Sequence, residues 1–172
     1  MGRVLEDERR ATLQGSLSAL FVSAGQIEIG LPLDSVLSVL HQAATRPLPI
    51  GPSYLCEMLD LHGEPVLVLD LAKRLGQEHA RPIEERKLVV IDCQGAPFAV
   101  CVDAVRDPEE ISRERLSSGE ALGGSEHGAL GSALIALART ARGPLPIVDP
   151  RALASRKLLS DLSRALRAKA IS

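Results

Sequence analysis

The most informative segment of the chain is Leu59-Asp-Leu-His-Gly-Glu-Pro-Val-Leu-Val-Leu-Asp-Leu-Ala-Lys-Arg-Leu-Gly76. Apolar residues on both sides of His62-Gly63 predict two strands joined by a tight turn at that dipeptide. Asp70 stands where the N-cap of a helix belongs, and Gly76 stands where such a helix usually ends. The stretch therefore predicts a β-hairpin followed by one short helix.

The same plan recurs near the end of the chain. The run Gly143-Pro-Leu-Pro-Ile-Val-Asp149 again places a glycine and a proline before an aliphatic strand and an aspartate. The two copies lie about 80 residues apart, a spacing that fits two similar small β units and is too long for a solenoid repeat. With one Tyr, two Phe and no Trp in the chain, each unit buries little apolar area alone. We expect the two units to share a core or to exchange strands.

Two further hairpins are predicted outside these segments. The paired runs have apolar or alternating patterns, and they span residues 17–22 with 26–33 and residues 87–92 with 97–102. Residues 36–40 can follow Asp34 either as a helical turn or as a strand, and the pattern does not separate these two interpretations.

A longer helix is predicted after Asp149-Pro150, which combines an N-cap with a proline suited to the first helical position. Its apolar stripe consists of leucines at three- and four-residue steps, namely Leu158, Leu159, Leu162 and Leu166. Residues 1–15 are interpreted as an arm outside the core, residues 77–85 as a connector, and the glycine-rich residues 117–131 as a surface loop.

Composition excludes several classes of protein. The 172 residues are 45% hydrophobic and 24% charged, which is typical of one folded domain, and the net charge of -2 gives no overall attraction for nucleic acid. No apolar run approaches the roughly 18 residues of a membrane span, and the first residues lack a signal-peptide pattern, so we expect a cytoplasmic protein. The three cysteines form no CxxC pair, so neither a disulfide framework nor a structural zinc site is expected.

The most suggestive polar cluster is Asp60, His62 and Glu64. On one continuous strand this spacing would place all three side chains on one face, where they could bind a metal or relay protons. Gly63 and Pro65 instead predict that the chain turns here, which puts Glu64 on the next strand. We therefore expect no metal site and no catalytic residue.

The remaining histidines, His41, His79 and His127, have no second ligand at a suitable spacing and are interpreted as surface side chains. The segment from Arg151 to Lys169 holds six basic residues and one acid. This charge is interpreted either as the solvated face of a docking helix or as a contact with an anionic partner. The candidate contact residues are Arg156, Lys157, Arg164 and Arg167.

The run from Leu59 to Gly76 resembles the signature of CheW-like domains, which is roughly I-N-L-R-G-x-x-x-P-V-x-D-L-x-x-x-L-G. Other segments are similar to further motifs of that family. Residues 36–40 correspond to its V-x-E-I strand, 48–55 to I-P-N-A-P-x-F-I, 99–105 to V-D-x-V and 143–149 to L-L-D. The resemblance covers about residues 16 to 165.

The resemblance implies a mainly β fold of two intertwined five-stranded SH3-like barrels, with short helices and a C-terminal α-helix. After the arm at residues 1–15, we expect one CheW-like domain over residues 16–165. Its first subdomain would hold residues 16–80 and the C-terminal helix, and its second residues 85–148, with the basic helix at residues 149–172.

The resemblance also implies a non-catalytic adaptor without cofactor or small-molecule substrate. It would couple the cytoplasmic tips of methyl-accepting chemoreceptors to the regulatory domain of a CheA-type histidine kinase, at receptor arrays and beside other CheW-like proteins. The alternative is a β-barrel module whose basic C-terminal helix binds nucleic acid or an anionic surface.

The partner-binding positions that the resemblance carries over are Val36, Ser38, Glu57, His62, Gly63, Val102 and Val105. Three of them depart from the family pattern, because Ser38 replaces a glutamate, Glu57 a glycine and His62 an arginine. An imidazole does not reproduce the forked donors of arginine, and the loss of a glutamate and an arginine removes a charge pair. We therefore expect an accessory coupler that has lost one of the usual partner contacts.

Overall fold

The computed structural model describes residues 15–41, 44–55, 57–93, 97–118, 130 and 133–171, without the side chains of residues 156, 163 and 166–171. The predicted arm therefore lies almost wholly outside the described residues, as does most of the predicted loop at residues 117–131. The described strands are β1 Leu17–Ala24, β2 Ile27–Pro32, β3 Val36–His41, β4 Thr45–Pro47, β5 Glu57–Leu61, β6 Glu64–Asp70, β7 Lys87–Ile91, β8 Phe98–Val102, β9 Ala104–Val105, β10 Glu109–Ile111, β11 Leu116–Ser118, β12 Leu134–Thr140 and β13 Gly143–Val148. The described helices are α1 Leu71–Arg74 and α2 Arg156–Ile171.

These strands form two sheets. Sheet A has the order β10-β1-β2-β13-β12-β11, with β9 also paired to β1, and sheet B has the order β3-β7-β8-β6-β5-β4. Strand β2 pairs with β13 in parallel, as β6 does with β8, and the other pairs are antiparallel. The predicted mainly β fold with two small units is confirmed.

The repeat seen in the sequence corresponds to equivalent strands of the two sheets. Strand β6 pairs antiparallel with β5 and parallel with β8, whereas β13 pairs antiparallel with β12 and parallel with β2. Both strands lead to an aspartate whose carboxylate accepts a backbone N–H. Asp70 Oδ1 lies 3.1 Å from Lys73 N, and Asp149 Oδ1 lies 3.0 Å from Arg151 N.

The sheets divide the chain differently from the predicted subdomains. Strands β3 to β8, residues 36–102, form sheet B, whereas β1 and β2 join β9 to β13 in sheet A. A boundary near residues 80–85 cannot separate the sheets, because β7 and β8 supply the partners of β3 and β6. The N-terminal hairpin instead crosses to sheet A, where β2 pairs with β13.

Apolar side chains form one cluster that both sheets share and one separate cluster on each sheet. The shared cluster contains Leu20 and Ile29 from sheet A, Leu69 and Val100 from sheet B, and Leu159 from α2. The cluster of sheet A is built around Phe21 and Ile147, and that of sheet B around Val68 and Ala99. The expectation of a shared core is therefore confirmed.

The C-terminal helix begins later than predicted. Pro150–Ala152 is a separate 3-10 turn with Asp149 as its N-cap, and α2 starts at Arg156. Leu153 and Ala154 between them are buried, so this linker packs on the core and the chain does not continue as one helix. The Ser155 hydroxyl accepts a hydrogen bond from Leu158 N at 3.1 Å, which is the bond that an N-cap makes.

The alternatives left open at residues 34–40 both occur in part. A 3-10 turn, Leu33–Ser35, precedes strand β3, Val36–His41.

In the described part of the chain, no helix has both the length and the apolar character needed to cross a membrane.

Candidate functional site

Strand β3 is the outer strand of sheet B and presents an exposed apolar side chain. Val36 lies opposite Ile91 and Ser38 opposite Val90, so Leu37 is the extra residue of a β-bulge. The bulge leaves Leu37 59% exposed, and Ser38 is exposed beside it. Val36 is half-buried against the shared core. An outer strand with a projecting leucine offers both backbone groups and an apolar contact to a partner.

Glu57, His62 and Gly63 lie on other parts of sheet B. The register places Ser38 and Glu57 in one row across the sheet, with β7, β8 and β6 between them. At about 4.8 Å per strand, the path along the sheet between the two residues is about 19 Å. His62 and Gly63 form the exposed tip of the β5–β6 hairpin, with φ of 53° and 85°. The carried-over positions therefore do not form one contiguous patch.

Glu57 has a partner within sheet B. Its Oε2 atom accepts a hydrogen bond from the Thr45 hydroxyl at 3.0 Å, and the side chain is half-buried. A glutamate is thus accommodated where the family pattern has glycine, because the neighbouring strand β4 supplies a donor.

Val102, one of the carried-over partner positions, is not on the surface. Val102 is 0% exposed and belongs to the shared core, because its strand β8 runs between β7 and β6 in the middle of sheet B. Val105 is half-buried on β9, opposite Val22, and also packs on this core. Neither residue extends the surface around Leu37.

An open polar depression of about 500 Å³ lies next to the end of β3. Its lining combines side chains from β3, β7, β9 and the connector, namely His41, Arg81, Glu84, Glu85, Arg86, Lys87, Asp103, Ala104 and Val105. His41 is exposed, as predicted, and its Nδ1 atom lies 3.2 Å from Lys87 Nζ. Charged groups of both signs therefore lie close to the Leu37 strand.

The turn predicted within Asp60, His62 and Glu64 is present. Leu61 lies opposite Glu64, so Glu64 is on β6, and the Asp60 carboxylate accepts a hydrogen bond from Gly63 N at 2.8 Å. Asp60 therefore stabilises the hairpin turn. Within the described ranges, no group of three or more His, Cys, Asp or Glu side chains is placed to hold a metal ion.

The interpretation of His79 as a surface histidine is wrong. Its side chain is 7% exposed and lies between two carboxylates. Nε2 is 2.7 Å from Asp70 Oδ1 and Nδ1 is 2.8 Å from Asp103 Oδ1. His127, by contrast, lies outside the described residues. Part of this signal lies in the sequence, since Asp70 ends one apolar strand and Asp103 directly follows another. That these two strands are parallel neighbours in sheet B is seen only in the structure.

Asp103 is buried and accepts several hydrogen bonds. Its donors include Gly25 N at 2.7 Å, Ala80 N at 2.9 Å and Arg81 N at 3.3 Å. Burial acts to raise the pKa of this carboxyl, but the bonds from Ala80, Gly25, His79 and Arg81 together outweigh it and hold the pKa below its ordinary value. The carboxylate thus joins the β1–β2 turn of sheet A to the connector and sheet B.

The C-terminal helix docks through its leucines. Leu159 and Leu162 are buried, Leu158 is half-buried, and Lys157 and Arg164 are exposed. The side chains of Arg156, Arg167 and Leu166 lie outside the described part of the structure. The exposed cations and buried leucines agree with the interpretation of α2 as a docking helix with a solvated face.

Comparison with known proteins identifies relatives of this architecture. The CheW-like domain family matches residues 18–157. A probable chemotaxis protein CheW of Rhizobium etli is 27% identical over 101 residues, and the chemotaxis protein CheW of Rhizobium meliloti is 24% identical over 98 residues. These alignments cover 59% and 57% of this chain and 65% and 63% of the relatives, slightly less than two thirds of their length.

A solved structure shows the same fold. The scaffolding protein TtCheW of Thermoanaerobacter tengcongensis superposes with a TM-score of 0.69 at 19% identity, over 80% of this chain and 91% of that one. The two-sheet fold, the repeated strand and aspartate, and the match over residues 18–157 agree with one another. The chain therefore belongs to the CheW-like domain family.

Proposed function

We propose that this chain is a cytoplasmic adaptor that couples chemoreceptors to a CheA-type histidine kinase at receptor arrays. The observation that carries the proposal is the family match over residues 18–157. The names of the relatives support it, since two are chemotaxis proteins and one is a scaffolding protein.

The chain is not an enzyme, as its family membership indicates, because CheW-like proteins act as scaffolds and adaptors. The polar clusters around Asp60 and His79 stabilise the fold. The Asp60 carboxylate holds a turn, and the buried His79 cluster joins segments of backbone.

The outer strand β3 is the surface that we assign to partner docking. Leu37 projects from the bulge, Ser38 is exposed beside it, and Val36 anchors the strand on the core. Residues near the centre of an interface contribute most when they are apolar and become fully desolvated. Leu37 is the residue on β3 that fits this description.

The same geometry supports the narrower proposal of an accessory coupler. Ser38, Glu57 and His62 lie on an outer strand, an inner strand and a hairpin tip, so each departure acts on a different part of sheet B. A partner that contacts one of these parts can be lost while another is kept. The three positions can therefore be tested one at a time.

The test is a pull-down of the full chain with a receptor cytoplasmic domain and with a kinase regulatory domain. Leu37→Asp should weaken binding of at least one partner by about tenfold, as expected for an interface centre that costs more than about 1 kcal/mol. Ile83→Asp is the matched control, because Ile83 is 60% exposed on the connector and is not part of β3. Equal binding by wild type and Leu37→Asp would contradict the assignment of β3.

Restoring the family residues tests the accessory role. Ser38→Glu, Glu57→Gly and His62→Arg, made singly, should strengthen one partner contact and leave the other unchanged. If none of the three alters the affinity of either partner, the proposed loss of a contact is wrong.

The alternative function, binding of nucleic acid or an anionic surface by α2, is favoured by the exposed cations Lys157 and Arg164. Phosphate contacts give affinity that falls steeply with salt. Binding of DNA or anionic vesicles that weakens with salt, and that is lost in the double variant Lys157→Ala, Arg164→Ala, would support this function. No binding at low salt would exclude it.

A further inference from the structure

The buried histidine of the connector has a geometry that only its charged form satisfies fully. Both ring nitrogens of His79 face carboxylate oxygens, at 2.7 Å from Asp70 and 2.8 Å from Asp103. An ionised carboxylate only accepts hydrogen bonds, and a neutral imidazole carries one N–H. With both carboxylates ionised, the imidazolium is the form of the ring that satisfies both contacts, because it donates to both carboxylates at once.

The carboxylates are committed to other donors, so neither can turn away without loss. Asp70 Oδ1 also accepts Lys73 N at the start of α1. Asp103 accepts backbone N–H groups from Gly25, Ala80 and Arg81. The imidazolium thus joins the cap of α1, the connector and the β1–β2 turn.

Other titratable groups on the surrounding elements have different partners or are uncharged. Arg81 pairs with Glu85 at 3.2 Å, Arg86 donates to the Arg81 carbonyl, and Arg74 donates to the Leu153 carbonyl. Lys73 and Glu78 are exposed. Burial, followed by the charge of Asp70, raises the pKa of the Cys101 thiol to about 12, so this neighbour is neutral. Among the described residues, His79 is the group whose side chain contacts both carboxylates.

We propose that His79 is a proton-dependent latch that holds the connector, residues 77–86, against the junction of the two sheets. With the ring charged, both carboxylates are bridged and the connector is held. When the ring loses its proton, one carboxylate faces a nitrogen lone pair at hydrogen-bond distance, and the connector is released. Release moves Arg81, Glu84 and Glu85, which line the depression beside His41 at the end of β3.

The first test is nitrogen NMR of the histidine rings in the wild-type chain. At a pH where the connector is held, the His79 ring should show two protonated nitrogens, both with slowly exchanging protons. A neutral ring at a pH where the Ala80 and Arg81 amides are still fully protected would overturn the proposal.

The second test is amide hydrogen exchange across a pH series, with each rate corrected for its intrinsic pH dependence. As the ring becomes neutral, the protection of Ala80 and Arg81 should fall by about tenfold, the loss expected for one charge-assisted hydrogen bond. Asp92 N, bonded to Ser35 O, and Asp149 N, bonded to Ala133 O, are reference amides that should not follow this change.

His79→Gln cannot become charged, so its Ala80 and Arg81 amides should show low protection that does not change with pH on the alkaline side. His41→Gln, which removes an exposed histidine, should behave like wild type. Equal alkaline behaviour of wild type and His79→Gln would overturn the latch. If His79→Gln fails to fold, the ring spectrum and wild-type exchange still decide the question.

Discussion

At the scale of single residues, the buried polar groups explain how the two sheets are joined. Asp103 accepts backbone hydrogen bonds from Gly25 in the turn of sheet A and from Ala80 in the connector, while its own backbone N donates to Ser23 O at 2.8 Å. Hydrogen bonds to a buried charged group contribute more than neutral ones, and breaking them leaves donors without acceptors. One aspartate thus stabilises contacts between segments that are far apart in sequence.

Asp103→Asn should lower the free energy of unfolding by about 3 kcal/mol, because the amide removes the charge and places a donor among donors. Urea unfolding of the full chain measures this change. Asp107→Asn, at an exposed aspartate four residues further along the chain, is the control and should change stability by less than about 0.5 kcal/mol. A similar loss in both variants would contradict the role given to Asp103.

The lowered pKa of Asp103 also predicts a pH dependence. Because the folded state holds the pKa below its unfolded value, this group adds stability at higher pH and loses it as pH falls through the folded pKa. The loss of stability should begin at about pH 4, where an ordinary aspartate titrates, and should continue as the pH falls further. In Asp103→Asn the acid-side fall in unfolding free energy should be smaller, and an unchanged profile would show that Asp103 is not its source.

At the scale of elements, the β1–β2 turn depends on close approach to the connector. Gly25 has φ of 62°, and a Cβ built on it would lie 2.6 Å from the Glu78 carbonyl oxygen. The backbone atom cannot move aside as the end of a side chain could. The glycine is therefore required both by the turn conformation and by packing.

Gly25→Ala should destabilise the chain by about 2 to 4 kcal/mol through combined strain and overpacking. Gly143→Ala is the matched control, since Gly143 has φ of 97° but open space around its Cβ position. Gly143→Ala carries only the cost of the turn conformation. Its loss of unfolding free energy should therefore be at least about 1 kcal/mol smaller than that of Gly25→Ala. Thermal unfolding of both variants measures the difference, and equal losses would mean that the contact with Glu78 does not matter.

Helix α2 depends on its leucines more than on its charges. Leu162 is 6% exposed, belongs to the shared core and lies against Gly51. Leu162→Ala should lower the free energy of unfolding by about 2 to 4 kcal/mol, as for other buried leucines. Lys157→Ala, at an exposed site of the same helix, should change it by less than about 0.5 kcal/mol. Guanidinium unfolding of both variants measures these free energies. Equal stability of Leu162→Ala and Lys157→Ala would contradict the docking of α2 through its leucines.

At the scale of the whole molecule, local patterns predicted the elements well. The turn at His62-Gly63 and the cap at Asp70 depend on neighbours in sequence, and both are present. Of the predicted leucine stripe, Leu158, Leu159 and Leu162 pack on the shared core. Other contacts join residues that are far apart in the sequence. Arg74 Nε, for example, donates a hydrogen bond to Leu153 O, 79 residues further along the chain.

What the sequence did not predict depends on such distant partners. The assignment of β7 and β8 to sheet B requires knowledge of how the two units exchange strands. The exposure of Leu37 depends on a β-bulge in β3. The burial of His79 depends on the path that the connector takes across the protein. The burial of Val102, a position carried over from the family resemblance, likewise depends on strand order, because β8 runs through the middle of its sheet. Periodicity alone carries no information on these points.

The central claim is that this chain couples a receptor to a kinase, and the most direct measurement is kinase autophosphorylation in a reconstituted mixture. The mixture contains receptor cytoplasmic domains, a CheA-type kinase and the full chain, with Leu37→Asp and Ile83→Asp tested in parallel. We predict that wild type and Ile83→Asp bring kinase activity under receptor control, and that Leu37→Asp does so at least about tenfold less efficiently. A folded wild-type chain that leaves kinase activity unchanged and sediments with neither partner would contradict the claim.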